Sequence, residues 1–185
     1  TRSTGMRVVW FGFPESYNKS MCHYEGKLVE MHRSREIEFH IISKNDSYGE
    51  SPNGFMHEYN PDTFLDLLAN FDVCVLSHMP FDFSISTAWK SENKAILAIN
   101  RGLPVVATRT PSYSRLLKDC MLDEFLFTTE RELELLLRRL MNPEERIYYL
   151  DKSQSPILNR YSAKKMTGDW YCLLYTSDAA DDTPC

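Results

Sequence analysis

The chain has 185 residues, 43% of them hydrophobic and 25% charged, and carries a net charge of −5 at neutral pH. This composition is ordinary for a globular domain, and it argues against a protein that binds nucleic acid, since no basic stretch offsets the acidic balance. No apolar run approaches the ~20 residues that a membrane-spanning helix requires.

The first quarter of the chain predicts two strands joined by a helix. Residues 7–12 and 37–43 are rich in β-branched and aromatic side chains, which favours strands. Gly12 ends the first strand as the turn glycine that commonly opens a βαβ unit. We expect a loop over residues 13–19 and a helix from about Ser20, whose hydroxyl suits an N-cap.

The next elements continue the alternation of strands and helices. A short third strand is predicted at residues 55–59. Asn60 followed by Pro61 is typical of a helix start, so we expect a helix over residues 60–70. Residues 72–77 then have the apolar character of a buried strand.

The strongest local signal is a helix-to-strand unit in the middle of the chain. The spacing of apolar residues predicts a helix over about residues 91–101. Gly102 fits the position just after this helix, where a left-handed backbone carries no Cβ penalty. Pro104 blocks further helix, and residues 104–108 form an apolar run that suits a strand covered on both faces.

The C-terminal part predicts one more strand and several helices. They are a short helix that ends near Lys118, a strand at residues 125–127, an amphipathic helix over 129–141, and further helices over 144–151 and 162–171. The fold class is therefore α/β: a Rossmann-like open parallel sheet of about six strands with helices on both faces. In such sheets the ligand binds beyond the carboxyl ends of the strands, where residues 12–19, 77–94 and 109–113 would lie.

Three polar residues, Lys90, Asn93 and Lys94, lie at the start of the central helix. A helix N-terminus has backbone N–H groups without partners, and two ammonium groups beside it favour an anion site. Ser112 and Tyr113 follow a strand at the same edge of the sheet, where their backbone N–H groups could meet a phosphate. The alternative is that the two lysines are simply solvated charges that flank a helix start.

Other residues of these loops allow two interpretations. His78 and Asp82 could approach a sugar, but surface polarity explains them equally well. Aromatic residues of the same loop either stack on a base or pack against another domain: Phe81, Phe83 and Trp89. The remaining histidines lack the spacing of metal ligands, and we expect them to be structural: His23, His32, His40 and His57.

Both ends of the chain look unlike the rest. Residues 172–181 resemble the translation of a common sequencing-library adaptor, so we expect residues 172–185 to be a non-native tail. Residues 1–5 run directly into the first strand, as in a truncated linker. The cysteines outside the tail (Cys22, Cys74 and Cys120) form no CxxC pair and predict reduced thiols and a cytoplasmic location.

Three stretches, residues 8–12, 62–77 and 93–107, resemble the C-terminal, nucleotide-sugar-binding domain of GT-B glycosyltransferases, particularly the bacterial GT4-like group. The most specific part is the helix followed by Gly-Leu-Pro-Val-Val at residues 102–106. The resemblance covers about residues 6–171. It implies that the chain is one half of a GT-B fold.

The resemblance also implies a reaction, the transfer of a sugar from a nucleoside-diphosphate sugar to an acceptor hydroxyl. The acceptor would be held by a missing N-terminal Rossmann-like domain, so the fragment alone is expected to be inactive. Implied catalytic residues are Lys90 and Lys94, which would stabilise the leaving diphosphate. Implied donor-binding residues are Gly12, Lys19, Asn93, Ser112 and Tyr113. No metal or other cofactor is expected, and any peripheral membrane association would come through the missing domain.

The sequence departs from that group at two places. Many members carry a pair of glutamates at the positions that Trp89 and Leu97 occupy here, and a Gly-Arg turn where this chain has Gly12 and Phe13. Glu92 lies between the two glutamate positions in a different register. A divergent glycosyltransferase that uses Lys90, Asn93 and Lys94 remains the preferred interpretation. The missing glutamate pair motivates an alternative function, a non-catalytic Rossmann-like module that binds a nucleotide or a protein partner.

Overall fold

A computed structural model describes residues 5–44, 54–78 and 90–161, which form a parallel six-stranded sheet with helices packed against it. The strands are β1 (Met6–Phe11), β2 (Ile37–Ser43), β3 (Phe55–Glu58), β4 (Val73–Leu76), β5 (Val105–Thr108) and β6 (Leu126–Phe127). Their order across the sheet is β3-β2-β1-β4-β5-β6. This confirms the predicted fold class, including the short third strand.

Four of the described helices lie between strands, and two more follow the last described strand. They are α1 (Pro14–Ser16, Tyr17–Met21 and Cys22–Arg33, continuous), α2 (Phe64–Leu68), α3 (Asn93–Asn100), α4 (Pro111–Asp119), α5 (Glu130–Leu140) and α6 (Pro143–Tyr161), with a 3₁₀ turn at Asp123–Phe125. Every residue of β4 and β5 is buried, so both faces of the central sheet are covered. Among the described residues, no helix is long and apolar enough to cross a bilayer.

The first helix begins earlier than the sequence predicts. The predicted loop over residues 13–19 is wrong, because Pro14 follows an extended Phe13 and opens α1 at a position where its missing N–H costs nothing. The segment Tyr17–Met21 is π-helical. Ser20 is therefore inside the helix rather than at its N-cap, and its hydroxyl donates to the Ser16 carbonyl at 2.7 Å and lies 3.1 Å from the Ser77 hydroxyl.

The helix before β4 is shorter than predicted. Helix α2 begins at Phe64, because Asn60 starts a turn instead: its side-chain oxygen accepts a hydrogen bond from the Asp62 N–H at 2.9 Å. Likewise, α3 begins at Asn93 rather than near residue 91.

The predicted stop after α3 is confirmed. Gly102 has a φ of +82°, and the Leu103 N–H donates to the Ala98 carbonyl at 3.0 Å. The Gly102 N–H donates to the Ile99 carbonyl at 2.9 Å, which completes a Schellman motif. This tight ending turns the chain directly into β5.

The last described helix is longer than predicted. Instead of ending near residue 151, α6 runs from Pro143 to Tyr161 and passes through Pro156. It continues because Tyr149, Ser153 and Ile157 form one buried stripe at four-residue spacing, and packing of this stripe outweighs the helix-breaking effect of proline. The predicted helix at 162–171 and the predicted tail lie outside the described residues.

Candidate functional site

The candidate site lies where β1 and β4 end side by side. These two strands are neighbours in the sheet, although β2 and β3 come between them in the sequence. The chain therefore leaves β1 toward one edge of the sheet and leaves β4 toward the other. Such a switch point opens a crevice at the carboxyl ends of the strands, which is where open α/β sheets bind ligands.

Lys94 fills the inner part of this crevice. It lies in the first turn of α3, and its ammonium donates a hydrogen bond to the Phe11 carbonyl at 3.2 Å, at the end of β1. The same nitrogen lies 5.5 Å and 5.8 Å from the ring centroids of Trp10 and Phe11. No described carboxylate pairs with it. Among the described residues, the partners of this partly buried ammonium are therefore a carbonyl and two aromatic rings.

The charge of Lys94 is destabilised by its surroundings. Burial lowers the pKa of Lys94, and the neighbouring positive charge of Lys90 lowers this pKa further. A buried charge without a counter-ion costs free energy, and a bound anion would offset that cost. The electrostatics of the crevice therefore favour an anionic ligand.

Gly12 is what allows the lysine to reach this position. A Cβ at residue 12 would lie 2.7 Å from the Lys94 Nζ and 2.9 Å from Cη2 of Trp10. The backbone of Gly12 is not in the left-handed region, which among the described glycines only Gly102 occupies. The glycine is required for space rather than for the turn conformation that the sequence suggested.

A cavity of about 240 Å³ opens beside the Lys94 ammonium. Its walls are mostly apolar and aromatic, with a second lysine at the rim, and consist of Phe11, Gly12, Phe13, Lys44, Tyr59, Phe64 and Lys94. Phe13 is 61% exposed although it is a large apolar side chain, so it presents a ring to whatever enters the cavity. The cavity thus combines cationic groups with flat apolar surfaces.

The other predicted basic and amide residues are more exposed. Lys90 and Asn93 flank the start of α3 with exposed side chains, and the charge of Lys90 acts on both Lys94 and His78. Lys19 is exposed in the π-helical part of α1 and does not line the cavity. The structure therefore brings Gly12 and Lys94 into contact, with Lys90 nearby and Lys19 farther out.

Ser112 and Tyr113 are buried at the start of α4. The Tyr113 N–H donates to the hydroxyl of Thr110, the N-cap of this helix, at 3.4 Å. The Ser112 hydroxyl lies 3.5 Å from the same Thr110 oxygen. The backbone donor of Tyr113 is thus already occupied within the protein, and neither residue lines the cavity.

His78 lies between the start of α4 and the two lysines Lys90 and Lys94: it contacts Tyr113, and the charges of both lysines act on it. It lies two residues after the end of β4, and its N–H donates to the Thr108 hydroxyl at 2.8 Å. Burial lowers the pKa of His78 to about 4, and the charges of Lys90 and Lys94 act in the same direction. The imidazole is therefore neutral at pH 7. From the sequence, both a role of His78 in binding and ordinary surface polarity remained open.

Glu92 is engaged in a network that sequence analysis did not find. Its carboxylate accepts hydrogen bonds from Arg115 at 3.0 and 3.1 Å and from the Tyr161 hydroxyl at 2.7 Å. Burial would raise the pKa of Glu92, but the hydrogen bonds from Tyr161 and Arg115 outweigh burial and lower it. This carboxylate ties the start of α3 to α4 and α6, and a long α6 that reaches Tyr161 is what makes the contact.

Some of the predicted residues lie outside the part of the chain that the structure describes, and two of the histidines lie on neighbouring strands of the sheet. Asp82, Phe81, Phe83 and Trp89 lie outside the described residues. Within the described ranges, no group of histidine, cysteine and carboxylate side chains has the geometry of a metal site. His40 and His57 hydrogen-bond to each other at 3.0 Å between β2 and β3, away from the crevice.

Comparisons with known proteins identify the fold. No protein-family model matches the chain, and no curated protein matches it significantly. Among solved structures, WaaG, a glycosyltransferase involved in lipopolysaccharide biosynthesis, is similar with a TM-score of 0.58 and 16% identity over 84% of this chain. A mutant O-GlcNAc transferase of Thermobaculum terrenum is similar with a TM-score of 0.66 and 13% identity over 96% of this chain. The pneumococcal O-GlcNAc transferase GtfA in complex with UDP and GlcNAc is similar with a TM-score of 0.53 and 13% identity over 90% of this chain.

These neighbours are GT-B glycosyltransferases, so the chain has the Rossmann-like fold found in that class of enzyme. At 13–16% identity the likeness shows the fold alone. The chain spans 43%, 36% and 37% of the lengths of the three neighbours.

Proposed function

We propose that this chain is the donor-binding domain of a glycosyltransferase and that the crevice beside Lys94 holds a nucleoside-diphosphate sugar. One observation carries the proposal: the Lys94 ammonium is partly buried at the end of β1 without a described counter-ion, beside a cavity with aromatic walls. A diphosphate would supply the missing negative charge. The fold of the similar glycosyltransferases supports the same conclusion.

The parts of the ligand divide between the charged and apolar parts of the crevice. The diphosphate lies against Lys94, Lys90 and the N-terminus of α3, whose backbone N–H groups favour anions. The base or ribose packs in the cavity against Phe13 and Tyr59. Gly12 lets the ligand approach the end of β1 closely.

The same lysines would serve the chemistry. In the transfer, the oxygen of an acceptor hydroxyl bonds to the anomeric carbon of the sugar as the bond from that carbon to the diphosphate oxygen breaks. The hydroxyl proton passes to the leaving diphosphate or to solvent. Negative charge develops on the leaving diphosphate, and fixed positive groups aimed there lower the barrier. Lys94 and Lys90 therefore act as catalytic electrostatic groups, without an obligatory metal or other cofactor.

The acceptor site belongs to a further Rossmann-like domain, because the chain accounts for less than half of each similar enzyme. The isolated chain binds the donor but transfers no sugar. We place the complete enzyme in the cytoplasm, with any contact to a membrane made by the other domain.

One observation favours the alternative, a Rossmann-like module that binds a nucleotide or partner without catalysis. Leu97, at one of the glutamate positions of GT4-like enzymes, is partly buried against the core. Glu92 cannot replace that glutamate while its carboxylate is bound by Arg115 and Tyr161. This module would retain ligand binding but would not support transfer when joined to an acceptor domain.

A thermal-shift panel tests donor binding with the 185-residue chain and UDP, GDP, ADP, CMP and their sugars. A ligand at 100 times its dissociation constant stabilises by about 2.7 kcal/mol, which corresponds to roughly 5–10 °C for a chain of this size. We expect one nucleotide class to give such a shift and Lys90→Met to reduce it. Lys118→Met, an exposed lysine of α4, is the matched control and keeps the shift. If a folded sample shows no shift with any nucleotide, donor binding is excluded.

A further inference from the structure

The side chain of His78 is held on one side by Tyr113. The rings of the two residues are nearly parallel, at 11°, with centroids 5.5 Å apart. The Tyr113 hydroxyl and the His78 Nε2 lie 3.3 Å apart. The backbone N–H of His78 is fixed at the same time by the Thr108 hydroxyl. The imidazole is therefore anchored at the end of β4 by groups from β5 and α4.

This contact determines which nitrogen carries the proton. Tyr113 is only 1% exposed, so its hydroxyl proton needs an acceptor inside the protein. Among the described residues, the His78 Nε2 is the partner of that hydroxyl. A neutral imidazole has one donor and one acceptor nitrogen. If Nε2 accepts from Tyr113, then Nδ1 carries the hydrogen and can donate it.

We propose that His78 is a ligand-binding residue, whose Nδ1–H donates a hydrogen bond to a diphosphate oxygen of the bound nucleotide, and that Tyr113 is the positioning residue that fixes this tautomer. The inference rests on the proposed function and adds a neutral donor to the site. His78 lies at the carboxyl end of β4, next to the end of β1 where the Lys94 ammonium lies, so it shares the edge of the sheet on which we place the anion. The charges of Lys90 and Lys94 act on the imidazole there.

A neutral donor suits this position better than a third cation. Burial lowers the pKa of Lys94, and the charge of Lys90 lowers it further, so a third positive charge would be unfavourable here. A histidine held neutral adds a directed hydrogen bond without adding positive charge to the ligand-free site. Donation to a charged oxygen is among the stronger kinds of hydrogen bond.

The tautomer can be read directly by NMR. Long-range ¹H–¹⁵N spectra of the ¹⁵N-histidine-labelled 185-residue chain, with the signal assigned by His78→Gln, should show His78 protonated at Nδ1 at pH 7. Tyr113→Phe removes the donor to Nε2 and should move the proton partly or wholly to Nε2. Tyr24→Phe is the matched control, because the Tyr24 hydroxyl donates to the distant Thr128 carbonyl. An Nε2–H tautomer in the unmodified chain would overturn the inference.

Ligand titration tests the role in binding. Saturating the chain with the nucleoside diphosphate selected by the thermal-shift panel should shift the Nδ1 signal, and Tyr113→Phe and His78→Gln should each weaken binding roughly tenfold. A response that requires the nucleotide sugar would assign His78 to the sugar and overturn its contact with the diphosphate. Binding without any Nδ1 response would overturn the inference alone. A chain that binds no nucleotide would overturn the proposed function and, with it, the ligand role of His78.

Discussion

Lys94 and Gly12 are two predicted site residues, far apart in the sequence, that the structure places in direct contact. The contact forms because the Lys94 side chain extends from α3 over the end of β1, where the missing Cβ of Gly12 leaves room for the ammonium. The cost of burying this charge is not offset by a described carboxylate. A bound anion would offset part of this cost.

Replacement of Gly12 by alanine should disturb this pair. The new Cβ would press on the Lys94 ammonium and on the Trp10 ring, and relief requires movement of the lysine. We expect Gly12→Ala to weaken nucleotide binding at least tenfold and to destabilise the fold by about 1–3 kcal/mol through overpacking.

Titration calorimetry and urea unfolding measure the two effects. Gly26→Ala is the matched control, since a Cβ there meets only Glu130 Oε1 at 3.7 Å. In helix α1 that change should leave binding intact and raise stability by about 0.5–1 kcal/mol. Unchanged nucleotide affinity in Gly12→Ala would show that the ligand does not depend on the position of Lys94.

At this scale the sequence predicted which residues lie near the site but not how they point. The helix start placed Lys90, Asn93 and Lys94 correctly at one edge of the sheet. The direction of Lys94 depends on the packing of α3 against β1, and the capping of the Tyr113 N–H depends on the rotamer of Thr110. Such details arise from contacts between distant segments, which residue spacing does not encode.

Helix endings are the best-defined local feature of the fold, because three helices end in the same Schellman geometry. The residue in the left-handed region is Gly102 after α3, but Arg35 after α1 and Met121 after α4. After α4, the Leu122 N–H donates to the Leu117 carbonyl at 2.8 Å. A non-glycine residue in this conformation bears a steric cost that glycine avoids.

Exchanging the residue types at two of these ends should change stability in opposite directions. Met121 is 65% exposed at φ +57°, so Met121→Gly should raise the free energy of unfolding by about 0.5–1 kcal/mol. Gly102→Ala should lower it by about 1 kcal/mol, since a Cβ there meets nothing within 4 Å and the cost is purely conformational. Urea unfolding of both variants checks the pair, and a destabilised Met121→Gly would contradict the steric account.

The edge strand β3 contacts β2 partly through a pair of histidines. His40 and His57 hydrogen-bond at 3.0 Å, and the charged groups around them are Glu38 on β2 and Arg7 on β1, the latter paired with Asp72. Burial lowers the pKa of His40 to about 4, with the charge of His57 acting in the same direction, and burial also lowers the pKa of His57.

Stability should therefore fall in mild acid. The unfolded chain takes up protons near pH 6.5 that the folded chain refuses, so the contribution of the pair is present above pH 6.5 and is lost as the pH falls toward 4. We expect His40→Gln to reduce the slope of stability against pH in this window, although His78 retains part of it. His23→Gln, on the exposed face of α1 and outside the pair, is the matched control. Equal slopes in all three proteins would show that the pair does not titrate as described.

The order of elements could be predicted well from the sequence, and their ends less well. Apolar periodicity and Gly102 located the strands and the stop after α3. The early start of α1 at Pro14 and the late end of α6 at Tyr161 were missed, because tertiary packing of the buried faces decides them. Because α6 was predicted to end near residue 151, the hydrogen bond between Glu92 and Tyr161 was not predicted either.

The whole molecule has the fold of a domain found in GT-B glycosyltransferases and spans 36–43% of the neighbours compared. Its sheet places one cationic, aromatic crevice at the switch point between β1 and β4. Under the proposed function, Lys94 binds an anionic ligand and is not needed to stabilise the fold. Its hydrogen bond to the Phe11 carbonyl is the competing, purely structural explanation.

Urea unfolding of the unmodified chain and of Lys94→Met, each with and without the selected nucleoside diphosphate, separates these explanations. Methionine keeps an unbranched apolar side chain and removes the buried charge. We predict that Lys94→Met is at least as stable as the unmodified chain without ligand, and that only the unmodified chain gains about 2.7 kcal/mol at 100 times the dissociation constant. A variant that is clearly less stable without ligand, yet gains the same stabilisation from the nucleotide, would contradict the account.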